Sequence, residues 1–462
     1  MSETQKFDVA VLGGGPGGYA SALRAALRGA STCCIEANLL GGTCLNVGCI
    51  PTKAMLHAAG LFRRIADASQ FGILSGPPQV DDPAFMQRAG KVAAKLRKGL
   101  AGLLTARKVA VIRGRGSLAA ADTVVVETAS GTRQIKAGAI VIATGSRPSD
   151  PPFLPQNSER IWTTNQATTA ETLPESILVL GGGVIGCEFA TIYAELGIPV
   201  TVVEMLDSLV AGMDADASRA VARSLIKCGV KVITGAEVGS VSQTNAGVVA
   251  ELGDGRTVRA AYALAALGRM PNIENIGIEQ LGIEMAEGVI RVDDRCRTNV
   301  ENIFAVGDVA ERRQYAHLAM RMGVVAADNA TGHDASDARD VVPVGVYTHP
   351  ELAAVGLSEA EARSRYGKVR VGRFSLAASG IARAYGQADG LVKLIADNEG
   401  RIVGGLIVGP RATDLIQQIA LAIRCRLTLG DLAGTIHPHP TFTEAVGEAA
   451  LSAEGLPMHA LR

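Results

Sequence analysis

Two stretches of this chain follow one plan, and that repetition limits the fold more than any other feature. FDVAVLGGGPGGYASALRAALRGASTCCIE (7–36) and ILVLGGGVIGCEFATIYAELGIPVTVVE (177–204) each run from an apolar strand through Gly-x-Gly-x-x-Gly into an Ala-rich helix, a glycine, a second strand and a glutamate. The glycine pattern alone is a weak signal. Set between a strand and a helix, twice, it describes two β-α-β units of the dinucleotide-binding type. Gly13 and Gly181 permit the tight turn, Gly15 and Gly183 let backbone approach a pyrophosphate, and Gly18 and Gly186 allow close helix packing. The helix N-terminus that follows suits anionic phosphates. Glu36 and Glu204 each fall eighteen positions after the third glycine, close to the roughly 20-residue reach of a ribose-binding carboxylate. Glu204 would accept a 2'-hydroxyl and repel a 2'-phosphate, so the second unit predicts NAD rather than NADP.

A chain of 462 residues exceeds one ordinary core, and at roughly 150 residues per domain it suggests about three domains. With 48% apolar residues, 54 glycines and only 4% aromatics, the composition fits an α/β protein and excludes disordered and fibrous classes. Basic and acidic residues balance at 45 each, with no dense basic run, so neither nucleic acid nor an acidic membrane is an expected partner. The N-terminal stretch does not read as a signal peptide, and no unbroken apolar run reaches the roughly 18–20 residues of a membrane helix. A cytoplasmic protein is the expectation. Eight scattered cysteines in so long a chain are no disulfide framework.

Between the repeats, residues 54–106 carry apolar positions at three-and-four spacing and predict a solvent-bridging pair of amphipathic helices. Short strand-like runs follow, and the Pro-rich PSDPPFLPQ (148–156) marks a domain border. ALAALGRMPN (263–272) echoes ATGSRP (143–148), which suggests a return crossing at the end of the second repeat. In NIFAVGDVAERRQYAH (302–317) a strand runs into Gly307-Asp308; the acid could hold a ribityl or phosphate-bearing chain, or simply form a turn. From about 340 the texture becomes α+β without a nucleotide motif. It ends in TIHPHPTFTEAVGEAAL, where His437, His439 and Glu444 crowd into eight positions although the chain has only 7 histidines.

GGTCLNVGCIPTK (41–53) places Cys44 and Cys49 five positions apart. A zinc clip would need a second ligand pair, which is missing, and no metal site is expected. Buried packing thiols remain an alternative, the reading that suits Cys33 and Cys34. A disulfide across so short a loop would stabilise little, whereas a helix starting near Cys49 would favour its thiolate. Redox cycling therefore suits the pair better than stapling. Beside two nucleotide folds, the economical reading is an electron relay in which NADH chemistry and thiol exchange are coupled by a flavin. Thiol exchange also needs a base, and His439 oriented by Glu444 is the candidate.

Taken together, GGGPGGYA with Glu36, GGTCLNVGCIPTK, ATGSRP, GGGVIGCEFA with Glu204, ALGRMPN, IFAVGDVA, HPELAAVGLS and IHPHPTFTEAVGEAAL resemble the pyridine nucleotide-disulfide oxidoreductases, and among them the members that oxidise dihydrolipoamide. The resemblance covers nearly the whole chain. It implies an α/β protein with two Rossmann-like domains, for FAD (1–148, completed by 269–338) and NAD (149–268), and a C-terminal α+β dimerisation domain (339–462). It implies non-covalent FAD held by Gly13, Gly15, Gly18, Glu36, Gly42, Thr43, Lys53, Gly116, Thr144, Gly145, Ser146, Asp308, Ala316 and His317, and NAD as co-substrate at Gly181, Gly183, Gly186, Glu188, Glu204 and Gly268. By the same resemblance Cys44 is the interchange thiol, Cys49 the thiol beside the flavin, and Lys53 the flavin's neighbour paired with Glu188. His439 and Glu444 act across a homodimer interface. The implied reaction is dihydrolipoamide plus NAD to lipoamide plus NADH, on lipoyl domains docked at the acyltransferase core of a 2-oxo acid dehydrogenase or glycine cleavage complex. A reductase of another small disulfide on the same fold is the competing reading. Residues 426–462 lack cysteine, unlike mercuric and thioredoxin reductases of this group, which add a C-terminal cysteine pair or a selenocysteine.

Overall fold

The computed structural model describes residues 4–155, 158–337 and 339–459. The first repeat builds β1 (Gln5–Leu12), α1 (Pro16–Leu27) and β2 (Thr32–Glu36), followed by α2 (Gly42–Asn46), α3 (Cys49–Ala66) and α4 (Asp82–Ala106). β3 (Ala110–Arg113), β4 (Arg115–Ala120), β5 (Thr123–Thr128) and β6 (Gly131–Ile142) complete a sheet of order β3-β2-β1-β6-β5-β4, with Ile303–Ala305 added parallel to β6. β1 runs parallel to β2 on one side and β6 on the other. Where β1 is covered on both faces it is apolar: Val9 to Leu12 are buried, while Gln5, Lys6 and Asp8 before them are exposed.

β7 (Ser146–Pro148) leads out of this sheet, and Gln156 of the Pro-rich border lies outside the described residues. β8 (Ile161–Thr163), α5 (Thr164–Thr169), β9 (Ile177–Leu180), α6 (Val184–Glu195), β10 (Val200–Val203), α7 (Ala215–Lys227) and β11 (Lys231–Ile233) follow. The second parallel sheet has the order β11-β10-β9-Tyr262–Ala265-β8, beside a three-stranded antiparallel sheet over residues 238–260. The chain then returns: Arg269–Pro271 pairs antiparallel with β7, which is the crossing expected from the ATGSRP and ALGRMPN echo. α8, used here for Ala316–Ala330, packs on α1, where Arg24 and Arg28 both pair with Asp328.

The third unit is a five-stranded antiparallel sheet ordered Val344–Val346, Leu352–Gly356, Ile402–Val408, Leu391–Ala396, Arg370–Ser375. The helices Ala412–Arg424 and Glu444–Ala453 supply Ile416, Ile419, Val446 and Ala450 to its core.

Residues 54–106 form the expected pair of helices, α3 and α4, separated by a short 3-10 turn, Ala68–Phe71, and an irregular stretch holding Pro77 and Pro78, whose rings cannot continue a helix. The structure corrects the reading in one respect: α3 does not merely bridge solvent. Met55, Leu56 and Ala59 are buried in a core shared with Phe189 and Ile192 of α6.

Candidate active site

The two repeats fold into superimposable turns. Gly13 and Gly181 both sit at φ +100°, a left-handed conformation that only glycine adopts cheaply, and a Cβ on either would collide with the carbonyl of Ala143 or Ala266 respectively. A Cβ on Gly18 or Gly186 would strike the carbonyl of Gly13 or Gly181. Gly15 and Gly183 cap α1 and α6 with matching extended dihedrals, φ −71° and −70°. Each terminal carboxylate then braces its own turn. Glu36 accepts from the amides of Gly14 and Asn38, both at 2.7 Å, and Glu204 accepts from those of Gly182 at 2.6 Å and Leu206 at 2.8 Å. The space left in front of each helix N-terminus is what a dinucleotide pyrophosphate requires.

Cys44 and Cys49 are joined by a disulfide with Cα atoms 4.6 Å apart. Cys44 lies in the short helix α2, and Cys49 is the first residue of α3, so the partial positive charge of that helix end falls on its sulfur and favours the thiolate after reduction. Lys53 stands one turn further along the same face of α3. Its Nζ donates to both carboxylate oxygens of Glu188, at 2.9 and 2.8 Å, and the Glu188 side chain is 3% exposed. One ion pair thereby links the helix that carries the disulfide to the helix of the second repeat.

These groups open into one cavity of about 1410 Å³, larger than the roughly 300–1,000 Å³ of an ordinary small-ligand site. Its lining takes in Gly13, Gly15, Glu36, Gly42, Thr43, Cys44, Cys49, Lys53, Gly116, Thr144, Gly145, Ser146, Asp308, Ala316 and His317 from the first unit and its continuation. Gly183, Glu188 and Gly268 enter it from the second. Gly18, Gly181, Gly186 and Glu204 are not part of the lining.

Ser146 Oγ donates to Asp308 Oδ2 at 2.5 Å, and Arg269 Nε donates to Ser146 Oγ at 2.8 Å. Arg269 also donates through Nη2 to the Ser146 carbonyl at 2.8 Å and reaches Thr43 Oγ1 at 3.5 Å. Sequence reasoning passed over this arginine, although it stands inside the quoted ALGRMPN. Burial lowers its pKa, partly offset by the charge of Asp308. His317, stacked at 5.3 Å on Tyr315, is also pushed down by burial and so stays neutral near pH 7.

The base pair is formed but stands elsewhere. His439 Nδ1 meets Glu444 Oε1 at 2.8 Å, while Glu444 Oε2 accepts from the Thr441 amide at 2.7 Å. Burial pushes the Glu444 carboxyl up, but the Thr441 amide and the two histidines outweigh it and hold the pKa low. His439 is 81% exposed, and neither residue lines the cavity. His437 turns away, against Thr443 Oγ1 at 3.3 Å. The described residues contain no His, Cys, Asp and Glu cluster suited to a metal ion, and no helix long and apolar enough to cross a membrane.

Residues 7–323 match the family described as pyridine nucleotide-disulphide oxidoreductase. The chain belongs to that family. Residues 342–450 match the dimerisation domain of the pyridine nucleotide-disulphide oxidoreductases, which is the third unit described above. Among curated relatives, the dihydrolipoyl dehydrogenase of Chlamydia muridarum is 40% identical over 461 residues, covering 98% of each chain. A protein of the same name from Bacillus subtilis is 38% identical over 456 residues, covering 98% of this chain and 100% of the relative. Among solved structures, LpdA from Mycobacterium tuberculosis superposes with a TM-score of 0.91 at 32% identity, covering 97% of this chain and 99% of its own. The HOCl-induced flavoprotein disulfide reductase RclA from Escherichia coli, solved as a Cu(II) complex, gives 0.87 at 26% identity over 97% and 99%. The fold of this pyridine nucleotide-disulphide oxidoreductase is thus the family's: α/β with parallel sheets and a C-terminal dimerisation domain.

Proposed function

We propose that the protein oxidises protein-bound dihydrolipoamide to lipoamide and passes the electrons to NAD, as the flavoprotein of a 2-oxo acid dehydrogenase or glycine cleavage complex. The observation that carries this reading is the Cys44–Cys49 disulfide, set in the same cavity as Lys53, Glu188, Gly13 and Gly15 of the first glycine turn and Gly183 of the second. FAD would lie on the first cradle and NAD on the second, and bound FAD supplies the chemistry thiols lack, exchanging an electron pair with sulfur and hydride with a nicotinamide. The domain division that serves this reading is 1–148 with 269–338 for FAD, 149–268 for NAD, and 339–462 for the interface.

The chain's own residues account for the thiol half of the reaction. A substrate thiolate attacks Cys44 Sγ, the Cys44–Cys49 bond breaks, and Cys49 leaves as a thiolate at the start of α3. The second substrate thiol then attacks the substrate sulfur of the mixed disulfide, which closes lipoamide and frees Cys44. His439 takes the substrate's proton, with Glu444 fixing its Nδ1 side and stabilising the imidazolium. Since His439 does not face its own chain's cavity, the base for one disulfide comes from a second copy, and the working unit is a homodimer.

Purified holoenzyme should reduce lipoamide with NADH, and should oxidise dihydrolipoamide with NAD. Absence of turnover in protein that retains FAD would overturn the assignment. Faster turnover on a non-lipoyl disulfide would favour the competing small-disulfide reductase.

A further inference from the structure

Tyr347 follows the first strand of the third sheet, Val344–Val346, and reaches the junction of α3 and α6. Its amide donates to Glu188 Oε1 at 3.1 Å, and its ring centroid lies 4.6 Å from Lys53 Nζ. Both members of the Lys53–Glu188 pair therefore touch one residue that belongs to neither dinucleotide sheet. Glu188 is fixed by three hydrogen bonds, two from Lys53 and one from Tyr347. Lys53 is the freer partner, 32% exposed on a flexible four-carbon stem. What limits its swing, besides the carboxylate, is the face of the Tyr347 ring.

Tyr347 is itself held from behind. Two residues on, His349 Nδ1 meets Glu195 Oε1 at 2.6 Å, and Glu195 lies two turns after Glu188 along α6. Gly60 of α3 makes room for that imidazole, since a Cβ there would lie 2.7 Å from His349 Cε1. The segment 347–349 is thus pinned against α3 and α6 together, and the ring is no adaptable loop side chain.

We propose that Tyr347 is a positioning residue for the redox reaction: its ring and amide hold the Lys53 ammonium in the orientation that faces the flavin. The third domain thereby helps set how readily the flavin accepts electrons. This rests on the reading of Lys53 as the flavin's neighbour. An ammonium held beside a ring system that gains electron density eases its reduction; one free to turn toward water is screened and eases it less.

The test is an anaerobic reductive titration of holoenzyme against a reference dye, reading the reduced-to-oxidised dye ratio at which half the flavin is reduced. Tyr347→Leu should raise that ratio by up to roughly fivefold, the ceiling set by one cation–ring contact, and Lys53→Met should raise it further. Tyr347→Phe, which keeps ring and amide, should restore the unmutated ratio. To exclude a folding defect, phenylalanines carrying successive ring fluorines at position 347 drain the ring face of charge without changing its shape, and should shift the ratio in graded steps. A shift in Lys53→Met with none in Tyr347→Leu and a flat fluorine series would overturn the proposal. No shift in Lys53→Met would remove it together with the reading of Lys53 beneath it.

Discussion

His439 and Glu444 hold each other at 2.8 Å, yet neither reaches the cavity in which Cys44 and Cys49 are joined. On the proposed mechanism, a base built and oriented outside its own chain's cavity would serve the disulfide of a second copy. His439→Gln should lower turnover about 10²- to 10⁴-fold, the usual worth of a positioned general base, with FAD content unchanged. The sharper check is complementation. Co-refolding or co-expressing Cys44→Ser with His439→Gln chains should recover activity that neither shows alone, because a mixed dimer contains one intact site. Failure of mixed dimers to recover activity would place the base in cis.

A second expectation concerns how the second unit is fastened to the third. Lys393 Nζ donates to Asp214 Oδ1 and Asp216 Oδ2, both at 2.6 Å, and to Glu359 Oε2 at 3.3 Å, with its side chain 2% exposed. Lys393→Met leaves buried Asp214 without its cation, while Asp216 and Glu359 keep arginine partners, and should cost about 3 kcal/mol, read as a lower urea midpoint near neutral pH. Burial pushes Asp214, Asp216 and Glu359 up, but hydrogen bonds and charge from Lys393, Arg373, Arg363 and neighbouring amides outweigh it and hold all three below their ordinary 3.8, 3.8 and 4.5. Carboxyls depressed in the folded state stabilise it above their ordinary pKa, and that contribution fades as pH falls from about 4.5 through the folded values. Lys393→Met should flatten this acid-side loss.

How much of this was legible in the sequence depended on the range of the forces involved. Gly18 and Gly186 announced themselves because the carbonyls of Gly13 and Gly181, five residues earlier, leave no room for a side chain; Gly13 and Gly181 were legible from the repeated spacing, although the carbonyls that exclude a side chain there, of Ala143 and Ala266, lie far along the chain. Cys44, Cys49 and Lys53 were likewise readable as one local motif. Lys393 was not: in LVKLIA it reads as a polar residue between apolar ones, and its partners lie 179, 177 and 34 positions away. Tyr347 was invisible for the same reason, contacting Glu188 across 159 positions. α3 was misjudged as solvent-bridging because α6, the helix that buries it, arrives more than a hundred residues later.

Thiol reactivity should separate the working pair from the rest. Burial pushes the thiols of Cys33, Cys187 and Cys296 up to about 12, and Cys34 higher still, so none forms thiolate near neutral pH. In native oxidised protein, an alkylating agent should label exposed Cys425 and spare these four. After brief anaerobic reduction, Cys44 and Cys49 should become the new labelled positions by mass spectrometry. Labelling of Cys33 or Cys187 at a comparable rate would contradict the burial argument.

Glu204 braces the second turn through the Gly182 amide at 2.6 Å and would also meet the ribose. Glu204→Ala should raise KM for NADH roughly tenfold with a smaller effect on kcat, as loss of a charged hydrogen bond implies. It should also narrow the preference for NADH over NADPH, since the repulsion of a 2'-phosphate goes with the carboxylate. Steady-state kinetics with both nucleotides reads the two effects together.

The most direct test of the redox assignment is anaerobic titration of the holoenzyme with a dithiol, following flavin absorbance at long wavelength. Wild-type protein should consume one dithiol per subunit and develop the band of a thiolate beside oxidised flavin. Cys44→Ser, which leaves Cys49 as the flavin-side sulfur, should show such a band without any dithiol. Cys49→Ser should never show it. A wild-type spectrum untouched by dithiol, or a band that persists in Cys49→Ser, would contradict the account.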